Sequence, residues 1–193
     1  SSAASDVYKR QVCLLLAFAT PLRGLAEDMA LPAAALETVD QRVRWISNDM
    51  VDAPVPHRRL HGELVGTQTR FNLLLPLPEK FRGLLMQHLQ GGIGGDEFHG
   101  QRRGDHHVAL QEGAVFLESN QGHVGADMSG LGGDPSVLEW RASVETATLA
   151  RQFVASYYDT DPPQLIVEGG SAGGMRTIAC MQNAPQLYAG GLA

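Results

Sequence analysis

The sequence predicts an α/β protein, a mostly parallel sheet with helices on both of its faces. Three observations carry that prediction. Short apolar runs without polar alternation, at Phe71–Leu75, Leu84–Gln87, Ala114–Ser119 and Leu165–Val167, read as strands buried on both faces. Segments of helical period separate the later runs, so strands and helices alternate along the chain. The 22 glycines gather in a few loops, which places tight turns at strand ends.

Taken in order, the first residues lie outside the fold. Ser1–Gln11 has no hydrophobic period, and Asp6-Val7-Tyr8-Lys9-Arg10-Gln11 looks like the translation of a transposase adapter used in sequencing libraries. Val12–Thr20 is apolar but shorter than the about 20 residues a membrane-spanning helix needs. With the small residues Gly24 and Ala26 behind it, residues 12–26 fit the remnant of a signal peptide cleaved before Glu27; a buried helix is the other reading. The first reading implies a secreted or periplasmic protein whose domain occupies residues 27–193.

Within that domain a short helix is expected around Ala33–Arg44, ended by Pro54 and Pro56, and an edge strand at His61–Val65. Phe71–Leu75 and Leu84–Gln87 follow, then a Gly91–Gly95 loop, a helix end at Val108–Gln111, the strand at Ala114–Ser119 and a glycine-rich loop through Gly133. Asp134 is a candidate N-cap, with Pro135 in the first helical position. The helix it opens should reach Tyr158, its buried face carrying Val137, Trp140, Val144, Ala147, Ala150 and Val154 at spacings of three and four. Leu165–Val167 and a helix at Ala172–Asn183 complete the pattern. The chain stops as an apolar strand begins at Tyr188–Ala193, so the fold is expected to be cut after that helix.

Composition narrows the function. The net charge of −6 and the lack of a basic run argue against a nucleic-acid partner. Arg102, Arg103, His106 and His107 form one small basic cluster, broken by Asp105, and read as a solvated loop. His88, His99, His106, His107 and His123 match no zinc spacing, so no metal is expected. Cys13 and Cys180 form no CxxC pair; Cys180 reads as a buried apolar residue or as half of a disulfide whose partner lies elsewhere.

Chemistry concentrates at Gly169-Gly170-Ser171-Ala172-Gly173-Gly174. This is GxSxG set between a strand and a helix, the context in which the motif marks a nucleophile elbow. A serine there sits on a strained turn with its hydroxyl clear of the sheet. Gly169 and Gly173 flank it because side chains would strike the neighbouring strand and helix. The helix directs its positive N-terminus at the developing oxyanion, with the Ala172 N–H as one donor. The second donor belongs on the loop after Leu84–Gln87, where Gly91-Gly92-Ile93-Gly94-Gly95 can turn backbone N–H groups toward an anion; Gly92 is the first candidate and Gly91 the next. That loop completes neither GxGxxG nor GxxxxGK[ST], so no nucleotide cofactor is expected, nor any other cofactor.

From Pro56 onward the ordered motifs resemble the tannase and feruloyl esterase family of α/β-hydrolases. The carrying residues are His57-Arg58-Arg59-Leu60, Phe71–Pro78 ending in LPLP, the Gly91–Gly95 loop, Gly122-His123-Val124-Gly125-Ala126, Trp140-Arg141-Ala142-Ser143-Val144-Glu145-Thr146, and Ser171-Ala172-Gly173-Gly174. Just before the nucleophile, where that family typically has a cysteine bonded to one beside the catalytic histidine, this sequence has Gly170. The resemblance implies an exported serine ester hydrolase acting through an acyl-enzyme on Ser171, on a small-molecule or polymer-linked ester. Residues 172–193 contain no Asp, Glu or His, so the triad acid and histidine are expected beyond Ala193, with this stretch inactive alone. A secreted serine peptidase of the same fold, and a non-catalytic binding module, are the alternatives.

Overall fold

The computed structural model describes residues 30–39 and 41–193; the adapter-like and signal-like segments and Cys13 lie outside the described residues. Helix α1 (Ala33–Thr38) is followed by strands β1 (Val43–Val51), β2 (His57–Leu64), β3 (Arg70–Pro76) and β4 (Leu84–His88). Short helices α2 (His99–Arg103) and α3 (His106–Gln111) precede β5 (Val115–Ser119). A π-helical turn at Val137–Arg141 then runs into α4 (Ala142–Tyr158), β6 (Gln164–Glu168), α5 (Ala172–Asn183) and β7 (Gly190–Leu192). The seven strands form one sheet in the order β1-β2-β3-β5-β4-β6-β7.

The sheet has two characters. β1, β2, β3 and β5 pair antiparallel, whereas β5, β4, β6 and β7 pair parallel. The parallel half carries the glycine loops and the serine. Strands β3 to β6 carry continuous apolar runs because alternate residues serve two cores. Leu73, Leu75, Val115, Leu117, Leu165 and Val167 face the core under α4, while Leu74 and Phe116 face a smaller one with Ala109, Leu110 and Ala114 beside α3. Burying each such side chain stabilises by about 1.5–3 kcal/mol.

Three expectations are corrected. The helix expected over Ala33–Arg44 ends at Thr38, and Val43 starts a strand instead. That strand has a register shift between Trp45 and Ser47, and Ser47, Asn48 and Asp49 hide its period. With β1 at the sheet margin, the segment expected as an edge strand is the interior strand β2. The basic cluster is helical rather than loop: Arg102 and Arg103 are exposed, but His106 is buried edge-on to Phe116, and burial lowers it to about 4 with the charges of His107 and His57. The apolar strand expected at Tyr188–Ala193 is present as β7, which pairs parallel with β6 after the elbow helix.

The long helix opens at Val137 rather than at Pro135, and Asp134 bonds the residues around that entry. Asp134 Oδ1 accepts from the Ser136 N–H at 3.0 Å and hydroxyl at 2.7 Å, and Oδ2 receives Arg141 at 2.6 Å. Its buried face is rotated from the expected stripe. Ala147, Ala150 and Val154 are buried, joined by Ser143, Thr146, Leu149 and Phe153, while Val137, Trp140 and Val144 are half-buried.

Candidate active site

β6 delivers the chain through Gly169 and Gly170 into Ser171, and α5 leaves at once. Ser171 has φ 58° and ψ −125°, a left-handed conformation that costs a residue with a Cβ about 1–3 kcal/mol. The turn is tight enough that a Cβ on Gly169 would lie 2.6 Å from the Gly173 carbonyl carbon and 2.7 Å from the Leu89 oxygen. A Cβ on Gly173 would run into the same Leu89 carbonyl, at the end of β4. The two elbow glycines thus let strand, helix and neighbouring strand converge, and Ser171 is left exposed at the meeting point.

The Gly91–Gly95 loop leaves β4 beside that point. A Cβ on Gly91 would lie 3.1 Å from the Gly170 oxygen and 3.8 Å from Ser171 Cβ, so loop and nucleophile are in contact. Gly92 has φ +60° and open space around it. Ser171, Gly91 and Gly92 share a cleft of about 930 Å³ with His88, His99 and Asp105. Ala172 is the first residue of α5, where a backbone N–H has no acceptor within the helix.

Below the cleft a row of ionisable groups crosses the sheet. His88 pairs in register with Glu118 on β5 and Glu168 on β6, so all three side chains share one face. His88 Nδ1 is hydrogen-bonded to Glu168, and Nε2 lies 3.8 Å from Asp105. Burial works against a charge on His88, but the hydrogen bond and charge of Glu168, with Glu118 and Asp105 behind it, outweigh that effect and hold the imidazole above its ordinary range. Glu118 is pushed up to about 7 by burial, although it accepts from the Gly100 N–H at 2.5 Å and the Gln101 N–H at 3.3 Å.

Three further side chains hold the loop, and the sequence motifs marked only His123 among them. Arg176, on α5, donates from Nη1 to the Gln90 carbonyl at 2.6 Å and from Nη2 to the Gly92 carbonyl at 2.8 Å. Gln121 Nε2 also reaches the Gln90 carbonyl, at 3.4 Å. His123 is buried, and its Nε2 lies 2.8 Å from the Ile93 carbonyl; a carbonyl only accepts, so this nitrogen carries the proton. His123 supports the loop rather than lining the cleft. A signal for Arg176 existed in its place five residues after the serine, but nothing local says which way a helical arginine points. Among the described residues, no group of three or more His, Cys, Asp and Glu is arranged to hold a metal. Cys180 is free and buried, its thiol pushed up to about 11 by burial.

This geometry and topology are those of the α/β-hydrolase fold, and known structures agree. An esterase from Aspergillus oryzae superposes with a TM-score of 0.66 at 17% identity, over 88% of this chain and 36% of that one. Feruloyl esterase B from Aspergillus oryzae gives 0.62 at 17% identity, over 79% and 34%. Tannin acyl hydrolase from Aspergillus niger gives 0.55 at 16%, over 84% and 34%. This chain therefore spans about a third of the length of those proteins. A sequence model of the prolyl oligopeptidase family matches residues 142–193, which hold α4, the elbow and α5. No curated protein matches the chain in sequence.

Proposed function

We propose that this chain is the nucleophile-bearing part of an exported serine ester hydrolase, similar to the feruloyl esterases and tannases. The observation that carries the proposal is Ser171 itself: exposed, at φ 58°, on a glycine-flanked turn that opens into a cleft. A strained serine persists where its surroundings over-determine it, and such strain clusters at reacting groups. In the proposed reaction Ser171 Oγ attacks the ester carbonyl as a histidine takes its proton. The Ala172 N–H and a glycine N–H of the Gly91–Gly92 turn bind the oxyanion. The alcohol leaves with a proton from the histidine, and water then releases the acid from the acyl-serine.

The triad histidine and acid are assigned to sequence following Ala193, and residues 1–193 alone are expected to be inactive. His88 lines the cleft, with its neighbouring carboxylates favouring its charged form, and it precedes the nucleophile in the chain, whereas in this fold the triad histidine follows it. Export rests on the signal-like segment before Glu27. Among the described residues no helix is long and apolar enough to cross a membrane. The substrate class is a small-molecule or polymer-linked carboxylic ester. A serine peptidase is the second reading, favoured by the prolyl oligopeptidase match over residues 142–193.

The test uses the full-length gene product containing this sequence, with and without Ser171→Ala. Aryl-ester turnover and fluorophosphonate labelling should both vanish in the alanine variant. Cleavage of peptides but not esters would establish the peptidase. A folded protein that neither labels nor turns over would leave a binding module.

A further inference from the structure

We infer that Arg176 is the positioning residue of the oxyanion hole, and that the N–H it aims is that of Gly91. The inference rests on the serine-hydrolase reading above and adds to it a residue outside the GxSxG motif.

The Gln90–Gly91 and Gly92–Ile93 peptides are trans, so each C=O points opposite to the N–H that shares its plane. Arg176 holds the carbonyls of both peptides, one on each arm of its fork. The Gly91 N–H must therefore point away from the guanidinium. The Gly91 backbone is also the part of the loop that touches the nucleophile turn: a Cβ there would stand 3.8 Å from Ser171 Cβ. The Gly92 N–H belongs to the intervening peptide, whose carbonyl none of these side chains holds. This ranks Gly91 ahead of Gly92 as the second oxyanion donor.

The choice of arginine supports a role beyond packing. Arg176 is 7% exposed, and among the described residues it makes no ion pair with a carboxylate. A buried charge satisfied by carbonyls is an expensive way to fill space. What it supplies is a rigid planar fork that locks two peptides at once, and a positive charge behind their C=O ends that polarises the N–H ends. Because Arg176 and Ser171 share the start of one helix, loop and nucleophile are fixed to one rigid element. The aimed N–H then needs little reorganisation when charge develops on the carbonyl oxygen.

The test uses the full-length protein and three variants: Arg176→Met, Arg176→Lys and Ser171→Ala. Loss of an oxyanion donor lowers kcat by about 10²–10³-fold. Arg176→Met should lower kcat about 10- to 100-fold on an aryl ester, with KM within about threefold, since the ground-state carbonyl leans little on this donor. The inhibition constant of phenylboronic acid, whose serine adduct is tetrahedral, should rise in parallel. Arg176→Lys keeps the charge but loses the fork, and should recover only part of the loss. It also covers the case in which the methionine variant fails to fold. A folded lysine or methionine variant with wild-type kcat and wild-type boronate affinity, in an enzyme silenced by Ser171→Ala, overturns the clamp and leaves the hydrolase reading intact. A wild-type protein without serine-dependent turnover removes both.

Discussion

The strain at Ser171 can be weighed by removing the side chain that creates it. Ser171→Gly keeps the turn but eliminates the Cβ for which φ 58° and ψ −125° are unfavourable. The relief is about 1–3 kcal/mol, and the added freedom of glycine in the unfolded chain takes back about 0.5–1 kcal/mol. Ser171→Ala is the control, because it loses the hydroxyl and keeps the strain. The glycine variant should therefore exceed the alanine variant by about 1 kcal/mol, with an upper bound of about 2.5 kcal/mol. In a domain of this size that corresponds to a rise in Tm of about 2–4 °C per kcal/mol. The assay is urea unfolding followed by tryptophan fluorescence; Trp45, packed on Phe71 and Phe153, reports the main core. Both variants should be inactive. If Ser171→Gly is no more stable than Ser171→Ala, the elbow stores no strain at this residue and the inference from conformation to nucleophile loses its basis.

Other perturbations probe the surroundings. Gly173→Ala drives a methyl into the Leu89 carbonyl and should destabilise by at least about 1–3 kcal/mol while reducing fluorophosphonate labelling; an unchanged labelling rate would refute the close approach. Glu118, raised to about 7 from an ordinary 4.5, binds its proton more tightly folded than unfolded, so stability should fall as pH rises between those values, by up to about 3 kcal/mol. His88, also raised, adds to the same trend: its contribution is full below the unfolded imidazole value and lost as pH rises through the folded one. Glu118→Gln should flatten the profile of urea midpoints from pH 4.5 to 8, and a profile as steep as wild type would exclude Glu118 as its source. His88→Ala removes the imidazole that Glu168 and Glu118 hold above its ordinary range, so it should cost more at pH 5, where that contribution is full, than at pH 8, where it is being lost; equal losses at both would point to packing alone.

The parallel half of the sheet was legible in the sequence because its signals are local. Runs such as Val115–Leu117 and Leu165–Val167 are apolar on both faces, and the helix at Ala172–Asn183 was located with the bounds the fold gives α5. β1 was not legible. Its alternation is interrupted by the shift at Trp45/Ser47, and an alanine-rich stretch precedes it. Of the candidate site, Ser171, Gly91, Gly92, Gly169, Ala172 and Gly173 lie close together. The side chains that hold the loop were hidden for a different reason. Arg176, Gln121 and His123 act on carbonyls 86, 31 and 30 residues away in sequence, and no periodicity encodes such a distance. The same holds for the row Glu118–His88–Glu168, visible only once strand order and register are known.

The position of the change from apolar to polar residues explains why chemistry gathers at this edge. β4, β5 and β6 carry apolar runs, at Leu84–Met86, Val115–Leu117 and Leu165–Val167, and turn polar at their carboxyl ends, at Gln87-His88, Glu118-Ser119 and Glu168. At that edge the backbone ladder stops, and the loops must find other partners. Side chains supply them. Asn120 accepts from the Arg70 and Gly122 N–H groups and donates to the Gln68 carbonyl, while Gln90 Oε1 accepts from the Asp96 N–H. Glycine-rich loops would otherwise be mobile, because glycine restricts φ least. Gln90, Gly92, Ile93 and Asn120 each carry a side-chain hydrogen bond, and in the proposed reaction loops held in this way would let aimed N–H groups stabilise a developing oxyanion without reorganising first. Glycine gives the Gly91–Gly95 loop its close approach to Ser171, and Gln121, His123 and Arg176 supply the hydrogen bonds to its carbonyls.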